Sequence, residues 1–223
     1  MEEPGVLRVR HECLNDIFCF SLPLLCPACG EALAGRRLHQ APVSLPDPLG
    51  DGHKTPCCLL VAPVDRHAGG DFDGTSELHT GISNTSGMVY NYTERGVVQD
   101  RHGWDRCLSV PLVRPDMFHL LAQWDRYLEQ FSRGPMWDPT CRSFCEDSHN
   151  CLTFCVAFIN GVLAAEGHGR ASLSRDDLTR DVIAPAVSRA CKYAALRRHL
   201  QQHQFYVMDM PAGPSGPQPD HLP

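Results

Sequence analysis

The run CLTFCVAFINGVLAA, residues 151–165, constrains the fold more than any other stretch of the chain. It carries no charge, so a helix built from it has no face suited to water. It is also too short for a bilayer, which takes about 20 apolar residues, and Thr153 and Asn160 interrupt it. A buried helix remains, expected from about Ser148 to Ala165 with Asp147 or Ser148 as its N-cap. The rest of the chain has to supply the elements that cover it.

Upstream, the patterning is that of strands. ELHTGISN and GMVYNYTE are two β-type runs joined by Asn84-Thr85-Ser86-Gly87, a hairpin signal. CCLLVAPV (57–64) and CLSVPL (107–112) read as further strands, and VLRVRHECLNDIFCFSLP as one or two more. From Pro115 the period becomes helical: Met117, Leu120, Leu121, Trp124, Leu128 and Phe131 form one apolar stripe. Ser174 and Asp177 suggest a capping box, and Pro185 should break or restart the helix that follows, which runs to about residue 202. QFYVMD reads as a last short strand. The expected class is α+β, a small antiparallel sheet packed on helices with a Cys-rich N-terminal subdomain. The expected division is a Cys-rich segment over 1–56, an α+β domain over 57–210, and a disordered proline-rich tail over 211–223.

Charge removes some functions. With 20 Lys and Arg against 26 Asp and Glu, the net charge is −6, and the basic cluster LRR at 196–198 is short. No nucleic-acid partner and no membrane span are expected. The acidic N-terminus has no apolar signal region, so an intracellular site, cytoplasmic or nuclear, is expected. In such a compartment the twelve cysteines serve as thiols, metal ligands or nucleophiles rather than as a disulfide framework. The sequons at Asn84 and Asn91 are then chance occurrences.

Cys151 lies in the first turn of the buried helix, where unpaired N–H groups and the helix dipole favour a thiolate. A nucleophile also needs a base, and His79 on the first hairpin strand suits better than His149, which points to another helix face. The competing reading is that Cys151 is a small buried side chain, as Cys155 one turn later is expected to be. A metal cluster of Cys141, Cys145, His149, Cys151 and Cys155 is the third reading, and it would take Cys155 from the core.

A strand with Leu-His-x-Gly-Ile, a Gly turn, Val-Tyr-Asn-Tyr and later an Asn-Cys opening an apolar helix resembles the permuted papain-like families. These are the desumoylating-isopeptidase-like (PPPDE) group and, more distantly, the lecithin–retinol acyltransferase-like group. The resemblance covers about residues 57–165, and His79 precedes Cys151 as those families require. Nearly the whole chain also looks like the makorin-2 opposite-strand family. The papain-like resemblance implies a permuted papain-like core, with Cys151 as nucleophile, His79 as general base and then acid, and the Cys151 N–H in the oxyanion site. Asn91, on the paired strand, would orient His79 or else be a surface residue near the turn, and Asn150 would fix the helix entry. No third polar orienter is identified by motif, and no cofactor is implied for catalysis.

The N-terminal region offers a second constellation. Cys26-Pro-Ala-Cys29-Gly has the spacing by which two thiolates reach one zinc ion, with Gly30 allowing the tight turn. His53 and Cys57 are the expected completing pair, giving a structural zinc on Cys26, Cys29, His53 and Cys57. His11 with Cys13 or Cys19 is the alternative pair, and buried thiols without metal the alternative state. Two functions follow. One is a thiol hydrolase or acyltransferase acting on an amide, isopeptide or thioester bond of an unidentified protein or acyl substrate. The other is an inactive papain-like fold serving as a zinc-stabilised protein-interaction module.

Overall fold

The computed structural model describes residues 4–33, 38–64, 72–166 and 172–208; the proline-rich tail over 211–223 lies outside them. Among the described residues the strands are β1 (Val6–Arg10), β2 (Asp16–Cys19), β3 (Val43–Leu45), β4 (Cys58–Pro63), β5 (Leu78–Ser83), β6 (Val89–Thr93), β7 (Gly96–Asp100), β8 (Leu108–Pro111) and β9 (Phe205–Met208). The helices are α1 (Phe118–Ser132), α2 (Cys151–Ala165), α3 (Arg175–Leu178) and α4 (Ala184–His203). The class is α+β, with two antiparallel sheets where the sequence suggested one. No helix among the described residues is long and apolar enough to cross a membrane.

The chain divides into two compact units, residues 1–47 with 195–223, and residues 48–194. Composition had put that boundary at 56/57, with the last strand in the larger domain. Instead β9 pairs with β2, so the N-terminal sheet, ordered β3-β1-β2-β9, takes in the C-terminal strand. Strand alternation explains this unit. Val9, Ile17 and Cys19 face a small core with Cys26 and Leu33. On β1 and β2 the carboxylate of Asp16 sits between Arg8 and Arg10, at 2.6 and 2.8 Å.

The larger unit holds a sheet ordered β7-β6-β5-β4-β8. Alternate residues of β4 separate its two faces: Leu59 and Val61 join the main core, whereas Cys58, Leu60 and Ala62 join a smaller cluster around Trp104 and Cys107. The main core packs the α1 stripe, Leu120, Trp124 and Leu128, with Phe154, Cys155, Phe158 and Val162 of α2. Each fully buried Phe or Val there contributes about 1.5–3 kcal/mol. The α2 helix lies against β5 and β6.

Local chemistry sets the boundaries. The β5–β6 hairpin turns on Asn84, whose Oδ1 accepts from the backbone N–H groups of Ser86 and Met88 at 3.0 and 2.8 Å. Gly87 follows with φ +83°, and a Cβ there would lie 1.9 Å from the His53 carbonyl oxygen, so only glycine fits. Ser174 and Asp177 form the expected capping box. Pro185 does not break the helix. It lies just after a π-helical segment, Thr179–Ile183, so the helical path continues where proline cannot donate to a carbonyl one turn back.

Candidate functional site

Helix α2 starts at Cys151, later than the pattern suggested, because Asn150 caps it rather than Asp147 or Ser148. The Asn150 Oδ1 accepts from the Thr153 backbone N–H at 3.0 Å, and its Nδ2 donates to the Glu146 carbonyl. The sequence before it turns sharply: the N–H groups of His149 and Ser148 both donate to the Cys145 carbonyl, which closes the helical path until Asn150. Cys151 is therefore the first helical residue, where backbone N–H groups lack intrahelical acceptors.

Its sulfur is partly exposed and hydrogen-bonds His79 and Thr80. Burial pushes the thiol up, but the His79 hydrogen bond and charge, with bonds from the Thr80 hydroxyl and N–H, hold it down at about 7. Cys155, one turn along, behaves oppositely. It is fully buried, burial drives its thiol far upward, and it donates to Thr80 Oγ1 at 3.6 Å. Thr80 thus accepts from the inert thiol and donates to the reactive one.

The sheet opens to allow this meeting. His79 is in register with Ala62, on the Trp104 side, while Thr80 and Val61 face the main core with α2. β5 and β6 pair only through Ile82–Tyr90 and Ser83–Val89. Toward Leu78 the ladder is not continued, and the contact across the gap is made by side chains: His79 Nε2 to Asn91 Oδ1 at 2.8 Å. With Nε2 engaged, Nδ1 is the nitrogen left for sulfur.

The Asn91 amide is held by its other end. Its Nδ2 donates to Asp100 Oδ2 at 2.8 Å, the same oxygen that accepts from Trp104 Nε1 at 3.1 Å. An acceptor at Nδ2 fixes which way the amide points, so Oδ1 faces the imidazole. The Trp104 and His79 ring centroids are 5.9 Å apart. Thr80, Asp100 and Trp104 were not singled out for this site from sequence. Asp100 closes the short strand β7, whose only signal was the turn Glu94-Arg95-Gly96. A cleft of about 480 Å³ reaches Asn91 and Asp100, with Arg95 and His102 also on its wall.

Other residues take structural places. His149 is buried, its ring stacked on Trp137 at 5.0 Å and edge-on to Tyr92, with Nε2 on the Met136 carbonyl at 2.9 Å. Burial, then the nearby Arg142 charge, lower its pKa and favour the neutral form. Among the described residues the ligand atoms of Cys141, Cys145, His149, Cys151 and Cys155 do not converge on a common point, so the five-residue metal reading around α2 is not realised. Both sequon asparagines are buried: Asn91 has its Nδ2 bonded to Asp100, and Asn84 uses its Oδ1 to hold the hairpin turn.

In the N-terminal unit four ligand atoms converge: those of His11, Cys13, Cys26 and Cys29 lie within 4.8 Å of one another. His11 Nδ1 is 3.4 Å from the sulfurs of Cys13 and Cys29, and Cys13 and Cys26 sulfurs are 3.8 Å apart. The expected partners His53 and Cys57 are not in this group. His53 Nδ1 is bonded to the Gly87 carbonyl at 2.8 Å, and Cys57 is buried in the core of the larger unit, its thiol pushed up to about 11 by burial. The alternative pair from the turn after β1, His11 and Cys13, is the one that joins the Cys26–Cys29 loop.

Comparison with known families now has a geometry to attach to. The DUF4796 C-terminal model matches residues 42–200, and the DUF4796 N-terminal model matches residues 4–33. The chain belongs to the DUF4796 family. It is 39% identical over 207 residues to the MKRN2 opposite strand protein of Homo sapiens, covering 93% of this chain and 91% of that one. No solved structure matches it. In DUF4796 terms, the C-terminal segment carries Cys151, His79, Thr80, Asn91, Asp100 and Trp104, and the N-terminal segment carries all four converging ligands.

Proposed function

We propose that the chain is a thiol hydrolase or acyltransferase with a permuted papain-like core, acting on an amide, isopeptide or thioester carbonyl. The observation that carries this reading is a partly buried Cys151 at a helix start, hydrogen-bonded to His79 and held at about 7. A thiolate is the nucleophilic form of cysteine, and this one is populated at neutral pH.

In the proposed reaction the Cys151 thiolate attacks the carbonyl carbon, forming a C–S bond and moving the C=O electrons onto oxygen. The unpaired N–H groups at the start of α2, that of Cys151 first, stabilise the oxyanion. Protonated His79 gives its proton to the departing amine, or to the thiol of a thioester, as the tetrahedral species collapses to an acyl-thioester on Cys151. His79 then takes a proton from water, or from an acceptor nucleophile, whose attack releases the acyl group and restores the thiolate. Asn91, itself fixed by Asp100, keeps the imidazole plane aimed at sulfur throughout.

The test is labelling by a thiol-directed electrophile at pH 7, read by peptide mass spectrometry, with turnover of amide and thioester reporters. Rapid modification of Cys151 that disappears in Cys151→Ala and persists in Cys155→Ala is expected. Labelling unchanged in Cys151→Ala would remove the nucleophile and leave the interaction-module reading.

A further inference from the structure

We infer that His11, Cys13, Cys26 and Cys29 form a closed, tetrahedral zinc site that staples the N-terminal unit. Zinc binds thiolate at about 2.3 Å and imidazole at about 2.0–2.1 Å, so a tetrahedron has sulfur–sulfur edges of about 3.8 Å and nitrogen–sulfur edges of about 3.5 Å. The observed edges are 3.8 Å for Cys13–Cys26 and 3.4 Å for His11 to Cys13 and to Cys29. Three thiols and an imidazole have little reason to gather at those separations for one another's sake, since sulfur is a weak hydrogen-bond partner.

His11 makes the point most sharply. Its ring is buried, Nε2 has no hydrogen-bond partner, and Nδ1 faces only sulfur. A buried imidazole left so poorly satisfied is costly, and a cation at Nδ1 gives it a strong partner. The tautomer is then fixed, with the proton on Nε2. Binding displaces the three thiol protons to solvent, and the site carries one net negative charge.

The backbone is shaped for the task. In the loop Cys26-Pro27-Ala28-Cys29-Gly30, the Gly30 N–H donates to the Cys26 carbonyl at 2.8 Å with Gly30 at φ +79°. The Cys26 N–H donates to the Glu31 carbonyl at 2.7 Å, closing a knuckle with both thiols on one side. The second pair comes from the end of β1, where the Leu14 N–H returns to the His11 carbonyl at 2.9 Å and Leu14 itself takes φ +65°. An ion on both pairs ties this turn to the knuckle. The unit gains from such a tie: the core cluster beside the knuckle is small, Val9, Ile17, Cys19, Cys26 and Leu33, with few side chains to order the intervening loops.

The experiment is metal analysis of the full chain purified without chelator, followed by cobalt exchange. About one zinc per chain is expected, and cobalt should give the intense thiolate charge-transfer and visible bands of a tetrahedral sulfur-rich site. Cys26→Ser should lower metal content at least tenfold, whereas His11→Cys should retain it with a cobalt spectrum shifted toward four sulfurs. Cys57→Ser and His53→Ala, which alter the ligands named first from sequence, should leave one zinc in place. Metal absent from the wild-type chain, a Cys13–Cys26 disulfide in its place, or zinc kept by Cys26→Ser but lost with His53→Ala would overturn the assignment. Because Cys151→Ala should retain its zinc, loss of electrophile labelling and loss of metal are read separately.

Discussion

At the scale of single residues, two cysteines one helical turn apart have opposite characters because of what surrounds each sulfur. Cys155 has apolar neighbours and one hydroxyl, and burial prevails. Cys151 has His79 and two bonds from Thr80, and they overcome burial. Thr80→Val keeps the shape at a buried position but removes the hydroxyl shared by both sulfurs. The midpoint of Cys151 alkylation against pH should rise, while stability in a denaturant titration should fall by no more than about 1 kcal/mol, because the bond lost by the Cys155 thiol is weak. Asn91→Ala removes the acceptor that holds His79 Nε2 and one of the two donors on Asp100 Oδ2. Its expected effect is a fall of roughly 10- to 100-fold in kcat, on the scale of a lost general-acid/base alignment, with a smaller change in KM. Local signals marked the Asn-Cys helix start and the β-strand histidine. The pairing of Cys151 with His79 was an expectation carried by the family resemblance, and the structure brings the two side chains together. Thr80, Asp100 and Trp104 were not marked. Their part depends on which residues face each other across three strands, and that register is set by side chains far apart in sequence.

At the scale of elements, the site depends on two features of termination. One is the Asn150 cap, which makes Cys151 the first residue of α2. Asn150→Ala should cost about 1 kcal/mol in thermal or denaturant unfolding and should also slow Cys151 labelling, because the helix start frays. The other is the early end of β5–β6 pairing, beyond which the imidazole bonds Asn91 across the gap and meets the Cys151 sulfur. The hairpin was readable from its turn, yet the gap was not, because strand patterns report faces and not where a ladder stops. The helix boundary was missed for a related reason: Asp147, Ser148 and Asn150 are all good caps, and the turn at Cys145 decides among them. The proline at 185 marks a restart, as expected: α4 begins at Ala184, after a π-helical segment that keeps the helical path continuous.

At the scale of the whole chain, the N-terminal sheet is completed by the last described strand, a pairing with no local signature that joined residue 16 to residue 208. That same sheet contains Asp16, the one buried acid among the described residues. Burial alone would raise the Asp16 carboxyl, but hydrogen bonds from Arg10 and Arg8 and their charges hold it below the usual carboxylate value. A carboxyl lowered in the folded state stabilises at pH above its unfolded value and loses that contribution as pH falls through the folded one. Asp16→Asn should therefore cost about 1–3 kcal/mol at pH 7, with the difference from wild type shrinking below about pH 4, in denaturant titrations run against pH. The zinc ligands were half legible: the Cys26–Cys29 spacing is local, but the choice of His11 and Cys13 over His53 and Cys57 is made by the β1 turn that meets the knuckle. Everything proposed about chemistry returns to whether the Cys151 sulfur is ionised by its imidazole neighbour. The most direct measurement is the alkylation rate of Cys151 against pH, resolved by peptide mass spectrometry, in the wild-type chain and in His79→Ala. A midpoint at about 7 is expected for wild type, moving toward the ordinary thiol value of about 8.5 in the variant, with a roughly tenfold slower rate at pH 7. A wild-type midpoint already near that ordinary value, and unmoved by His79→Ala, would contradict it.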